Sequence, residues 1–162
     1  MRHFWRLFSR QEEEGAILTE ALIVIPVITI FAVGIMEFGN VFWQRQLMEL
    51  GVRDAARYWS RCRPVDADDN TYMPCSIDTA RNIAFYGHPD GNPDGTRLLR
   101  VPNWSDPTEL TIEPETPPIF PTDDDVIIVT GTMEYYPSPL FSMLSIGAIP
   151  ITYIHQQRYM GW

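Results

Sequence analysis

The chain has no lysine. All twelve of its basic residues are arginine, against twenty-one acids, and the formal net charge is −9 over 162 residues. Most of the acid lies beyond Asp66, so this region lacks the basic surface that phosphate binding needs, and nucleic acid is excluded as a partner. Histidine is scarce as well: His3, His88 and His155 are scattered, and no G-x-S-x-G, H-E-x-x-H or glycine-rich phosphate loop accompanies them. Without a nucleophile, base or phosphate cradle, neither an enzyme nor a small-molecule substrate or cofactor is expected. Cysteine occurs only at Cys62 and Cys75, with no C-x2-C pair to hold zinc.

What the chain has is one long apolar run, from Ala16 to Met36, broken only by Thr19, Glu20 and Thr29. As a helix it spans about 31 Å, enough to cross the roughly 30 Å hydrocarbon core of a bilayer. A carboxylate inside such a run costs about 2.5 to 3.5 kcal/mol on insertion scales, so Glu20 requires a partner or a purpose. Glycine stands five positions before it. Cleavage after Gly15 would make Ala16 an amino terminus and place Glu20 near its positive charge and the positive end of the helix dipole. Two other readings stand beside this one. A conventional signal peptide could end at Ala32-Val33-Gly34, although Glu20 and the acids Glu12 to Glu14 are foreign to such peptides. A plain uncleaved anchor needs no junction at all.

Pro26 lies within the run, where it removes a helical hydrogen bond and predicts a kink or local unwinding. Beyond Glu37 the pattern becomes amphipathic, with Phe42, Trp43, Leu47, Leu50, Ala55, Tyr58 and Trp59 at mixed three and four spacings. Glu49 with Arg53, and Asp54 with Arg57 and Tyr58, are spaced for contacts along one helix. A helix from Ala16 to Ser60 would be about 67 Å long. Arg2, Arg6 and Arg10 before the span are balanced by Arg45, Arg53 and Arg57 after it, so charge alone leaves orientation nearly tied.

The stretch from Gly15 to Trp59, GAILTEALIVIPVITIFAVGIMEFGNVFWQRQLMELGVRDAARYW, resembles the N-terminal signature of the TadE/TadF-like pseudopilins of tight-adherence (type IVb, Flp) pilus systems. Gly15, Glu20, Pro26, Gly34, Glu37 and the segment Arg53-Asp-Ala-Ala-Arg57-Tyr58 carry the resemblance. It implies a leader over 1–15, cleaved by a prepilin peptidase between Gly15 and Ala16, a transmembrane and amphipathic helix over 16–61, and an exported domain over 62–162. It further implies an assembly role for Glu20, Pro26, Gly34, Glu37, Arg53 and Arg57. The implied partners are other pilins or pseudopilins and the inner-membrane assembly platform. The N-terminus would be cytoplasmic and the C-terminal domain periplasmic or extracellular. Glu12 to Glu14 depart from the basic or neutral leaders of that family. The rival function is a single-pass anchor presenting a periplasmic binding domain.

Beyond Arg63 the chain is rich in proline, glycine and aspartate. A short helix is expected over Ser76 to Tyr86, with Ala80, Ile83 and Ala84 facing inward. Strands are expected at Leu98 to Val101, Glu109 to Glu113, Val126 to Tyr136 and Ile149 to Tyr159, with an apolar connector over Leu140 to Ile149. The fold class is therefore α+β: a long N-terminal helix on a small antiparallel sheet. Cys62 and Cys75 would close a short loop worth about 3 kcal/mol if oxidised outside the cytoplasm; the alternative is two free thiols. Asp90-Gly-Asn92-Pro-Asp94-Gly95 matches the start of a calcium loop, but Val101 stands where the bidentate glutamate belongs, which favours a plain turn and no metal site. Tyr135, Tyr136, Trp104 and Trp162 are candidate contact residues, with packing the commoner role for such side chains.

Overall fold

The computed structural model describes residues 4–62, 75–117, 122, 125–139 and 147–160. Helix α1 (Phe4–Ser60) is followed by helix α2 (Ile77–Tyr86), a 3-10 turn (Pro107–Glu109) and strands β1 (Leu110–Glu113), β2 (Val126–Tyr135) and β3 (Ile149–Arg158). The strands form one antiparallel sheet in the order β1-β2-β3. The class is α+β, and β2 and β3 follow the β-branched runs of the sequence to within a residue at each end. Two compact units divide the chain: Met1–Asn40 with Pro137–Ile146, and Val41–Tyr136 with Gly147–Trp162.

In the first unit α1 begins earlier than the apolar pattern suggests, at Phe4. It runs through Pro26, and the expected unwinding there is not seen. The hydroxyls of Thr19 and Thr29 donate back to the carbonyls of Ala16 and Ile25, each at 2.8 Å. Two polar side chains of the apolar run are thereby satisfied inside their own helix.

The second unit holds the core. Alternation in β2 sends Ile127, Val129, Gly131, Met133 and Tyr135 inward, and β1 adds Leu110 and Ile112 to the same face. Against it α1 buries Met48, Val52, Ala55, Ala56 and Trp59. These positions follow the three and four spacing of one helix face. Ala55 and Trp59 of the sequence pattern lie on that face, but Phe42, Trp43 and Leu50 do not: they are exposed at 58%, 65% and 47%. Two glycines let the layers meet. A Cβ on Gly51 would stand 2.5 Å from the carbonyl oxygen of Ala84 in α2, and one on Gly131 would stand 2.6 Å from Cγ2 of Val52.

Trp104 fills the space above Gly51. It is fully buried, stacks edge-on against Phe85 with ring centroids 4.9 Å apart, and donates its indole N–H to Thr132 O at 3.1 Å. It is therefore a core residue rather than a surface contact. Trp59 is also buried and donates to Pro114 O at 2.9 Å.

Leu98 to Val101 is a loop, not the expected strand. Arg100 N donates to Phe85 O at the end of α2 at 2.8 Å, and just ahead of the segment Arg97 N is taken by Asn92, so these donors serve α2 and the preceding turn rather than a ladder. Leu98 is 89% exposed while Val101 is buried. Glu109 likewise leaves β1 to close a capping box with Asp106. In α2 the inward residues are Ala80, Ala84 and Phe85, with Ile83 half-buried; Ser76 is the N-cap residue, although its side chain makes no capping bond. Most of the apolar connector, residues 140–146, lies outside the described residues, as does Trp162.

Candidate functional site

The candidate site is α1 itself, and its two stretches behave differently. From Gly15, α1 is long and apolar enough to cross a membrane by length and composition, with an 18-residue window of mean hydropathy 2.5 and no part of that window buried. Ile17, Leu22, Phe31 and Ile35 are each more than 60% exposed. An apolar surface of this extent marks contact with lipid or with other helices. Gly15, Ala16 and Glu20 are exposed on it, and Glu20 makes no hydrogen bond or ion pair among the described residues. Gly34 is half-buried, with open space where a Cβ would stand.

Glu37 breaks this pattern. Its neighbours Met36 and Phe38 are 76% and 65% exposed, yet Glu37 is 7% exposed, and its carboxylate accepts the Ser138 backbone N–H at 2.8 Å. The residues just after β2 are thus held to the helix by a charge-assisted bond within the first unit. Pro137 and Pro139 flank that amide and cannot donate themselves, which leaves Ser138 as the donor there.

In the second unit the Arg53-to-Tyr58 segment is the docking strip of the helix. Ala55 and Ala56 are fully buried, small enough for α1 to lie close against its neighbours. Arg53 donates to Glu49 O at 3.2 Å and lies 3.7 Å from the Glu49 carboxylate, which also accepts from Arg45 at 3.1 Å. Arg57 is 66% exposed and stands 4.0 Å from Asp54. The stronger partner of Asp54 is Arg100, 2.7 Å away, with side chains 34% and 22% exposed. Helical spacing suggested Arg57 for Asp54, and nothing in the sequence pointed to Arg100. The Tyr58 phenol reaches the start of α2, where Ser76 and Thr79 hydrogen-bond it; burial pushes its pKa up and those bonds oppose the rise.

Cys62 follows the last turn of α1 and is buried, while Cys75 immediately precedes the N-cap residue of α2 and is half-buried. The structure holds both as thiols, in hydrogen-bonding contact with each other. Burial pushes the Cys62 pKa far above 9.0, and the bond with Cys75 raises it further.

The Asp90-to-Gly95 turn spends its acceptors on the chain. Asn92 Oδ1 accepts Arg97 N at 2.8 Å, Gly91 O accepts the Arg97 guanidinium, and Asp90 lies 3.4 Å from His88 Nδ1. Among the described residues, no group of three or more histidines, cysteines or acids is placed to hold a metal ion. The tyrosine pair divides by strand alternation: Tyr135 is in the core, and Tyr136 is 62% exposed with its hydroxyl on Glu134 at 2.8 Å.

No curated protein and no solved structure matches the chain. A family model does, over a stretch that opens at the exposed Gly15 and closes within the docking strip at Arg57. That model is described as TadE-like protein, and it matches residues 15–57 of this chain.

Proposed function

We propose that the protein is a minor pilin or pseudopilin that acts in assembly of a tight-adherence type IVb pilus. Its work is association rather than catalysis. A prepilin peptidase cleaves after Gly15, the freed Ala16 begins the mature helix, and the apolar stretches of neighbouring subunits bundle in the membrane and then in the assembly. Arg53 and Arg57 extend the assembly surface beyond the span. The N-terminus lies in the cytoplasm, the single span in the inner membrane, and the folded domain outside.

The observation that carries this reading is Glu20, exposed and without a partner among the described residues, on an apolar helix that matches the TadE-like model. An unpaired carboxylate in a nearly dry bundle is strongly disfavoured, so Glu20 seeks an amine, and the new amino terminus of a subunit supplies one. That pairing sets axial register. The Gly34 notch and Pro26 lie on the same stretch; the notch allows close helix approach, and Pro26 withholds one hydrogen-bond donor from an otherwise continuous helix, which favours repacking. The mature N-terminal sequence and intact mass, measured on protein from membranes of cells carrying the cognate prepilin peptidase, test the proposal. A chain beginning at Ala16 supports it. One beginning at Met1 favours an anchored periplasmic binding domain, and one beginning near Phe38 a secreted protein.

A further inference from the structure

Three contacts bring the end of α1 against the start of α2. Tyr58 is hydrogen-bonded by Ser76 and Thr79, Cys62 meets Cys75 thiol to thiol, and both cysteines pack on the same core cluster. The Cys62 side of this junction is held from behind. Cys62 N donates to Trp59 O at 3.1 Å, the Tyr159 hydroxyl donates to Cys62 O, and Met160 N donates to Ser60 O at 2.9 Å. The backbone that carries Cys62 is therefore set before any bond forms between the sulfurs.

We propose that Cys62 and Cys75 are joined in the native protein as a structural disulfide that staples the end of α1 to the start of α2, with Cys75 reacting first and Cys62 closing the bond. Exposure sets the order, because the thiolate that attacks must reach the oxidant and Cys75 is the less buried of the two. Cys75 attacks the disulfide of a thiol oxidase or of an oxidised small thiol, forming a mixed disulfide and releasing one thiolate. Cys62 then loses its proton and attacks Cys75 Sγ, expelling the second thiolate. Two electrons and two protons pass from the cysteines to the oxidant. Reduction reverses these steps and is slow, since a reductant reaches only the Cys75 side and Cys62 departs as a disfavoured buried thiolate. The bond is a permanent staple rather than a redox switch. It requires that residues 62 and 75 lie outside the reducing cytoplasm, and so reports the side of the membrane on which the domain folds. It does not rest on the pilus reading, because an uncleaved anchor of the same orientation would carry the same bond.

The test is the intact mass of the full chain taken from native membranes and denatured in excess N-ethylmaleimide, so that a buried thiol is also reached, with and without prior reduction. The expected result is no label before reduction and two labels after it, on a monomer. Two labels without reduction, in cells whose export compartment contains its thiol oxidase, would overturn the proposal, as would a disulfide-linked dimer. The order of reaction is tested with single variants under native conditions: Cys75 left alone in Cys62→Ser should label at least tenfold faster than Cys62 left alone in Cys75→Ser. Equal rates would overturn the assigned order.

Discussion

Arg100, in the loop after α2, donates to the carboxylate of Asp54 in α1 at 2.7 Å, and so joins two elements that no helical spacing connects. Both side chains are partly buried, so the pair is worth more than a surface contact but less than a desolvated one. Asp54→Ala should cost about 1 to 2 kcal/mol, with a coupling to Arg100→Ala of about 1 kcal/mol in a double-mutant cycle. Arg57→Ala, whose side chain is mostly solvated, should change stability by less than about 0.5 kcal/mol. Denaturant unfolding of the detergent-solubilised chain, followed by tryptophan fluorescence, measures all four variants. Equal losses for Asp54→Ala and Arg57→Ala would remove the distinction drawn between the two pairs.

Gly51→Ala places a methyl group 2.5 Å from the Ala84 carbonyl and 2.9 Å from the Trp104 ring, with backbone on one side and a buried indole on the other. The overpacking should cost about 1 to 3 kcal/mol. Gly39→Ala has nothing within 4 Å and should be neutral or stabilising by up to about 1 kcal/mol through helix propensity. A neutral Gly51→Ala would mean that α1 and α2 do not approach as closely as described.

The reduced protein should lose stability as pH rises above 9.0. Cys62 holds its proton in the fold well above that ordinary value, whereas the unfolded thiol ionises near it. The contribution is therefore complete below 9.0 and falls away as pH climbs toward the folded pKa. Tyr58 adds a second loss of the same sign, beginning above its ordinary value of 10.0. Between 9.0 and 10.0, reduced Cys62→Ser should show a flatter stability curve than reduced wild type. Parallel curves in that window would contradict the raised thiol.

Glu37→Ala removes the acceptor of the Ser138 amide and leaves a half-buried donor without its partner. Hydrogen exchange at Ser138 should quicken by roughly tenfold, with little change at amides in the middle of β2. Unchanged exchange at Ser138 would show that the carboxylate is not what holds this residue.

Glu20→Ala should leave the subunit stable and membrane-bound but absent from sheared pilus fractions, with Glu20→Gln equally excluded because it lacks the charge. Immunoblots of membrane and filament fractions separate these outcomes. Normal incorporation of both variants would sink the register mechanism.

Local pattern carried a large part of this architecture. Ala16 to Met36 reads as a spanning helix because length and hydropathy are additive along a chain, and the β-branched runs at Val126 and Ile149 read as strands because their alternation is local. The face of α1 that docks was not legible. Phe42, Trp43 and Leu50 are as apolar as Met48, Val52 and Trp59, so periodicity announces a helix without saying which side finds a partner. Fit across the layers made that choice: Gly51 and Gly131 remove the two methyl groups that would hold α1 away from α2 and β2, and Trp104 fills the space that remains. The loop at Leu98 to Val101 and the Asp54–Arg100 pair have the same origin. Their hydrogen bonds run to residues far away in the chain, and contacts of that kind are selected by the packed whole rather than by any window of residues.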